Sequence, residues 1–150
     1  MKKVTILLTN EVIKNDKGAV IPLAIANLMC VTKDGKTVSK QIYTEGKNSS
    51  VACLKALNEA LKTIKGECTI EVLTNIPYIT KVINKIDVWS SKGFKLNDGS
   101  MASNLALLLT FISQKNKQQI QGRISVKQYK DESILFIPYK RILKEKLDIA

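Results

Sequence analysis

The sequence predicts a mixed α/β domain in which one sheet carries helices on both faces. Three apolar runs come first and are joined by short turn signals, which predicts an antiparallel meander of strands. Segments of helical periodicity then alternate with strand-like segments, and a strand that follows a helix can join the sheet in parallel. Because 150 residues suit one core, residues 1–150 are predicted to form a single domain.

The meander is predicted from residues 3–9, 19–32 and 37–44, with turn signals at residues 15–18 (NDKG) and at Asp34-Gly35. A helix should follow, capped by Ser49 or Ser50, with apolar residues at helical spacing from residue 51 to residue 64 and Gly66 at its end. Residues 69–74 form the fourth predicted strand, which is expected to be parallel because a helix precedes it.

The second half of the chain predicts further helices and strands. Pro77 suits the first turn of a helix that runs to about Asp87, and a polar, glycine-punctuated loop follows at residues 89–100. Residues 101–113 predict a helix and residues 121–129 a fifth strand. We expect an extra C-terminal strand at residues 133–137, and a basic helix from Pro138 to about Leu147.

Composition argues against several classes of protein. Hydrophobic residues make up 45% of the chain, as in folded globular domains. No apolar run reaches the roughly 18 residues of a membrane-spanning helix, and the apolar stretch near the N-terminus is too short for a signal peptide. Three cysteines without CxxC spacing and the absence of histidine argue against a zinc site and a histidine-based triad. We therefore expect a cytoplasmic protein that does not enter a membrane.

The charge predicts an anionic partner. The net charge is +11, and lysine supplies 22 of the 24 basic residues. Such a field attracts nucleic acid first, and acidic protein surfaces or anionic lipid second. Abundant Lys, Asn and Ile suggest an AT-rich bacterial or phage genome, which would account for lysine in place of arginine but not for the excess over acidic residues.

Several segments resemble the type 1 ribonuclease H family, and the resemblance covers residues 3–129. The most specific match is residues 70–95 (IEVLTNIPYITKVINKIDVWSSKGFK), where the family has a strand, TDSQYV, a helix and WxxxGWK. Residues 5–11 (TILLTNE) resemble its first strand, residues 49–61 (SSVACLKALNEAL) its first helix, and MASNLALLLTFI and ISVKQY its later helix and last core strand. The family's fold has the strand and helix order predicted above.

The resemblance implies a metal centre whose ligands are replaced in this chain. Ribonuclease H cleaves the RNA strand of an RNA–DNA hybrid with two magnesium ions held by four carboxylates. The matching positions are Asn10, Ser50 and Asn75, and the fourth falls at Tyr139 or Lys144 in the divergent tail. We therefore predict no catalytic residue, no metal and no cofactor.

Glu11 and Glu45 lie near the matched positions in sequence and are candidates for holding one metal ion in place of the lost ligands. Strand alternation, however, directs Glu11 away from the face of Asn10. Whether the asparagines at positions 10 and 75 are natural or engineered stays open, although Ser50 and the missing histidine favour a natural loss.

The family also has a basic protrusion, a short helix and loop that grips phosphates of the DNA strand. The residues that match it are Trp89, Lys92, Gly93, Phe94 and Lys95. Lys81 and Lys85 extend its positive strip, and Asn48 matches a position where the family contacts 2′-hydroxyl groups of the RNA strand. The candidate nucleic-acid-binding residues are thus Asn48, Lys85, Trp89, Lys92, Phe94 and Lys95. The alternative is that both aromatic residues are packing anchors and the lysines a solvated surface.

Three functions are compatible with these patterns. The first is a catalytically inactive ribonuclease H-like protein that binds nucleic acid, an RNA–DNA hybrid or another duplex. The second is a scaffold subunit that binds a protein partner, because this fold is widely reused. The third is a residual metal-dependent nuclease with remodelled ligands. The sequence leaves the oligomeric state open.

Overall fold

The computed structural model describes residues 2–14, 16–32, 34–64, 68–95, 99–100, 103–117, 123–130 and 133–149. The strands in these residues are β1 (Lys2–Lys14), β2 (Val20–Val31), β3 (Thr37–Glu45), β4 (Cys68–Thr74) and β5 (Ile124–Gln128). The helices are α1 (Ser49–Thr63), α2 (Pro77–Ser91), α3 (Leu105–Lys117) and α4 (Ile137–Ile149). None of these helices is long and apolar enough to cross a membrane.

The five strands form one mixed sheet in the order β3-β2-β1-β4-β5. β1 pairs antiparallel with β2, and β2 with β3, whereas β4 lies parallel to both β1 and β5. The short turns after β1 and β2 explain the antiparallel half, and the helical crossovers before β4 and β5 explain the parallel half. The predicted fold class, three antiparallel strands followed by parallel ones, is confirmed.

The sheet has a buried core on each face. Val4, Ile6 and Leu8 of β1 belong to the larger core, which also includes apolar residues of α1, α2 and α3. The intervening Leu7 is equally buried but lies outside that cluster, and α4 packs on β1 and β2. Because side chains alternate between the two faces along β1, this strand contributes to two cores, one beneath α1 and one beneath α4.

The predicted extra C-terminal strand is wrong. Residues Ile134–Phe136 form a 3₁₀ turn that leads directly into α4. The backbone N–H of Phe136 donates to the Ser133 carbonyl at 3.2 Å, and the Phe136 ring, fully buried, meets the Tyr129 ring edge to face with centroids 6.0 Å apart. Burial of this ring and the start of α4 at Ile137, with Pro138 in its first turn, give the segment helical geometry, so it adds no strand to the described sheet.

Two helix boundaries also differ from the prediction. α2 continues to Ser91, so Trp89 lies within the helix rather than in the loop after it. Asn48, rather than Ser49 or Ser50, caps α1, because its side-chain oxygen accepts from the backbone N–H of Val51 at 2.9 Å. The predicted helix end at Gly66 lies outside the described residues.

Candidate nucleic-acid interface

Two of the matched metal positions lie at the same end of the sheet. β1 and β4 are parallel neighbours, and their last paired residues are Leu8 and Thr74. Asn10 is two residues beyond that pair on β1, and Asn75 is one residue beyond it after β4. The carboxyl ends of adjacent parallel strands meet at one edge, so the topology brings both asparagines to it. The fold thus brings two of the positions matched in the sequence to one edge of the sheet, and both carry neutral side chains.

A buried hydrogen bond ties Asn75 to the neighbouring strand. The hydroxyl of Thr9 donates to the Asn75 side-chain oxygen over 3.0 Å, with Thr9 fully buried and Asn75 only 5% exposed. The Thr74 hydroxyl accepts from the backbone N–H of Ile76 at 3.1 Å, which closes the turn into α2. The Asn75 oxygen therefore has a structural partner and helps to fix the end of β4.

Asn10 and Ser50 lie on the α1 side of the sheet. Asn10 pairs with Ala24, and Ala24 pairs with Thr44, so the three residues form one row across β1, β2 and β3. Ala24 is buried in the core beneath α1, and the Thr44 hydroxyl donates to the Ala52 carbonyl of α1 at 2.5 Å. This contact holds the first turns of α1, which include Ser50, over the end of the sheet.

Gly46 explains how closely α1 approaches the strand end. A Cβ atom at this position would lie 2.5 Å from the backbone nitrogen of Ala52 and 2.9 Å from a methyl carbon of Val51. Only glycine therefore fits between β3 and the first turn of α1.

Glu11 and Glu45, the two acidic residues considered as replacement metal ligands, lie in a different row of paired residues from Asn10. Glu11 pairs with Leu23, and Leu23 pairs with Glu45. Because neighbouring residues of a strand face opposite sides of the sheet, this row faces away from Asn10 and α1. Among the described residues, no three Asp, Glu, Cys or His side chains come together in a way that could hold a metal ion.

The candidates for the fourth metal position lie on α4. Tyr139 is half-buried, and its hydroxyl oxygen accepts from the side-chain amide of Asn27 on β2 at 3.4 Å. Lys144 is exposed on the same helix. Neither residue supplies an anionic oxygen, whichever of them occupies the fourth position.

The basic protrusion is built on a tight turn at the end of α2. The N–H groups of Lys92 and Phe94 both donate to the Trp89 carbonyl, at 3.2 and 2.9 Å. Gly93 and Phe94 adopt positive φ angles of 65° and 61°, a conformation that is costly for a non-glycine residue. Burial of the Phe94 ring, 7% exposed and part of the larger core, compensates for this cost and fixes the turn.

A pocket of about 300 Å³ opens between this turn, α2 and α3. Its apolar and aromatic walls come from Tyr78, Trp89, Phe94 and Leu108. Three lysines and a serine complete the lining, namely Lys81, Lys92, Lys95 and Ser103. Tyr78 and Trp89 are half-buried and pack against the core, so their rings are held in place while part of each remains accessible.

The lysines of this region are free to meet an anion. Lys81, Lys85, Lys92 and Lys95 are all exposed, and none makes an ion pair with a residue that the structure describes. Lys81 and Lys85 are four residues apart on α2 and so lie on one face of that helix. The nearby Asp87 of α2 forms an ion pair with Lys115 of α3 at 3.5 Å.

The structure places four of the six predicted binding residues around one pocket, together with residues that were not predicted. Trp89, Lys92, Phe94 and Lys95 line the same pocket. Lys85 is exposed on α2, the helix that carries Trp89. Asn48 is exposed at the start of α1, where its side-chain oxygen caps the helix.

Sequence reasoning did not find Tyr78, Ser103 or Leu108 as pocket residues. Tyr78 precedes Trp89 by three helical turns, a spacing that places both on one side of α2 and that would have identified it. Ser103 and Leu108 come from a segment whose contact with α2 is tertiary, and their local sequence carries no such signal.

Comparison with solved structures identifies the architecture. LC9-RNase H1, a type 1 ribonuclease H with the type 2 active-site motif, has a TM-score of 0.74 at 14% identity over 97% of this chain and 72% of its own. The ribonuclease H domain of the prototype foamy virus gives 0.65 at 18% identity, covering 98% and 92%.

A foamy viral protease–reverse transcriptase, solved in complex with an RNA/DNA hybrid, has a TM-score of 0.63 at 12% identity over 95% of this chain and 19% of its own. No family model and no curated protein matches the sequence. The strand order, the helices on both faces and these superpositions agree, and the chain has a ribonuclease H-like fold.

Proposed function

We propose that this protein binds a nucleic-acid duplex, an RNA–DNA hybrid or another, through its basic protrusion and does not cleave it. The observation that carries the proposal is a group of four exposed lysines along α2 and the turn after it, none paired with a described residue. Three of them, Lys81, Lys92 and Lys95, line a pocket with aromatic walls. Unpaired lysines near one another are suited to neighbouring phosphates, and accessible aromatic surface is suited to sugars and bases.

Electrostatics supports this partner over an uncharged one. The chain carries a net charge of +11, and each phosphate that a lysine neutralises releases a condensed counterion. The free energy gained in this way depends on salt and not on base sequence. Binding is therefore expected to be tight at low salt, weakly selective for sequence, and lost as the salt concentration rises.

The lack of cleavage is inferred from the chemistry of the matched positions. Magnesium binds in proteins through carboxylate and other hard oxygen ligands, and two such ions close together require several negative charges. Asn10, Ser50 and Asn75 supply none, and the Asn75 oxygen already accepts a hydrogen bond from Thr9. These residues do not fit a two-magnesium centre.

One experiment tests binding and cleavage together. Purified protein is passed over immobilised RNA–DNA hybrid, duplex RNA and duplex DNA across a salt series, and a labelled hybrid is incubated with it in magnesium or manganese. We expect retention whose logarithm falls linearly with the logarithm of salt concentration, and an intact hybrid.

Absence of salt-dependent retention near physiological ionic strength would overturn the binding proposal. Specific capture of a protein partner after nuclease treatment, without retention on any duplex, would favour the scaffold alternative in its place. Chelator-sensitive degradation of the hybrid that is abolished by changing Glu11 or Glu45 would overturn the lack of cleavage.

A further inference from the structure

The pocket beside Trp89 is not explained by contact with a duplex backbone. A continuous duplex presents phosphates on its outside, and surface lysines are sufficient to meet them. The protrusion instead encloses about 300 Å³ behind those lysines, with walls from Tyr78, Trp89, Phe94 and Leu108. Concave apolar sites of about 300–1,000 Å³ are typical of small-molecule pockets, and this one is at the small end of that range.

We propose that this pocket accepts a single unstacked nucleobase, with its flanking phosphates on the lysines at the opening. The inference rests on the proposed nucleic-acid binding and names the ligand of the same surface. It predicts that the protein prefers single-stranded segments, or duplexes with an unpaired end, over continuous duplex.

The chemistry of the lining fits a base better than an uncharged apolar group. Tyr78 and Trp89 offer aromatic faces for stacking, and stacking tolerates any base because every base has a π-face. Lys81 comes from α2, whereas Lys92 and Lys95 come from the turn after it, so cations line the pocket from two segments. A ligand with a flat apolar body and anionic groups on either side matches this arrangement.

Polar atoms in the lining can meet the edge of a base. Ser103 contributes a hydroxyl group, which donates or accepts. The Tyr78 oxygen accepts from the side-chain amide of Asn104 at 3.4 Å, so the hydroxyl hydrogen of Tyr78 remains available to donate. Asn104 itself has a positive φ of 64° at the start of α3, which places it and Ser103 close to the ring.

The backbone at this site is also consistent with a dedicated pocket. Phe94 follows Gly93 in the left-handed region, and a strained non-glycine residue persists where its surroundings hold it. Its ring forms the pocket wall, while Lys92 and Lys95 flank it in sequence. The strained turn therefore positions the aromatic wall and two of the cations together.

Trp89 provides a direct probe because it is the only tryptophan of the chain. Its fluorescence is titrated with a single-stranded thymidine oligonucleotide of about eight nucleotides, within the usual site size for single strands, and with an abasic oligonucleotide of equal length and charge. We expect the thymidine strand to change Trp89 emission and to bind at least about fivefold more tightly than the abasic strand, the lower bound for stacking of one base.

A blocked pocket gives the matched control. Ser103→Phe fills the pocket from its exposed side without changing charge, whereas Ser39→Phe places the same side chain on exposed β3. Ser103→Phe should abolish the preference for the thymidine strand over the abasic strand. Ser39→Phe should retain that preference and the salt-dependent retention on duplex.

Equal binding of thymidine and abasic strands would overturn the inference, and so would a Trp89 signal that neither strand changes, as expected if a protein segment fills the pocket. In both cases continued retention on duplex leaves the proposed function standing. Loss of all nucleic-acid binding in the unmodified protein would overturn the proposed function itself, so the two failures are distinguishable.

Discussion

Two regions of the molecule differ in how exposed their polar groups are. One is the end of the sheet at Asn10 and Asn75, and the other is the protrusion at the end of α2. At the sheet end, the Thr9 hydroxyl and the Asn75 oxygen are buried and bonded to each other. In the protrusion, Lys92 and Lys95 are exposed and make no ion pair with a described residue. The first region is closed by its own contacts, and the second is open to a ligand.

The end of a strand and a site for phosphate require different kinds of residue. A strand end needs hydrogen-bonding groups, and a neutral asparagine provides them without the desolvation cost of a buried charge. Binding phosphate needs cations that the protein does not neutralise itself. The same fold can therefore hold neutral hydrogen-bonding groups at one end of the sheet and exposed lysines at the protrusion.

The largest effect is expected from neutralising the open region. Changing Lys81, Lys92 and Lys95 together to Gln should weaken duplex binding on the order of a hundredfold at about 0.1 M salt and reduce the slope of log K against log salt by about 2.7, about 0.9 for each lost phosphate contact. Binding is measured by fluorescence anisotropy of a labelled hybrid across a salt series.

The matched control removes the same charge elsewhere, at Lys14, Lys36 and Lys40, which are exposed on the meander. That triple variant should change affinity only a little, through net charge. Equal loss in both variants would show that binding follows net charge alone, and the contrast between the two regions would disappear.

The fold was predictable from sequence because its signals are local. The turn at Asp34-Gly35 and the helical spacing from residue 51 to residue 64 each depend on neighbours in the chain. The extra strand was predicted wrongly because the signal that decides this segment is not local. The apolar residues of Ile134–Phe136 are compatible with a strand, and only the packing of Phe136 against Tyr129 distinguishes the two structures. Tertiary burial decides such short apolar segments.

The sites were predictable only in part. Lys92, Phe94 and Lys95 were found from the resemblance to the family, and Asn10 and Asn75 from the same source. The hydrogen bond between Thr9 and Asn75 joins residues 66 positions apart, and the pocket depends on Ser103 and Leu108 reaching α2. Contacts of this separation have no periodic signature in the sequence.

Introducing carboxylates at the end of the sheet should make the stability of that region depend on metal. The variant Asn10→Asp, Ser50→Glu and Asn75→Asp should lose about 1–3 kcal/mol of unfolding free energy without metal, because like charges gather where Asn75 is buried. Magnesium should recover part of that loss. Thermal unfolding is compared in magnesium chloride, in potassium chloride of equal ionic strength and in chelator.

The unmodified protein serves as the control for the carboxylate variant, and its unfolding temperature should be the same in all three solutions. A magnesium-dependent rise in the unmodified protein that chelator reverses would mean that it already holds metal. The proposed lack of cleavage would then lose its physical basis.

A smaller loss of unfolding free energy is expected from breaking the hydrogen bond between Thr9 and Asn75 at the end of the sheet. Thr9→Val keeps the shape of the side chain but removes the donor to the buried Asn75 oxygen, which should cost about 0.5–1.5 kcal/mol, the net contribution of one hydrogen bond. Urea unfolding measures the change, and Thr37→Val on exposed β3 should stay within about 0.5 kcal/mol of the unmodified protein. If the two variants were equally stable, the Thr9–Asn75 contact would not hold the sheet end together.

The smallest effect, measured at pH 10, tests how well α1 excludes solvent from the core. Burial raises the pKa of the Cys53 thiol from an ordinary value of 9.0 to about 12, so the folded state keeps a proton that the unfolded state releases. Stability from this group is complete below pH 9 and declines between pH 9 and about 12, by on the order of 1 kcal/mol at pH 10. Cys53→Ala removes this group while other alkaline titrations remain, so its unfolding free energy should fall less steeply over that range. Parallel declines in the two proteins would indicate that α1 admits solvent to Cys53, so that the core beneath this helix would not be closed.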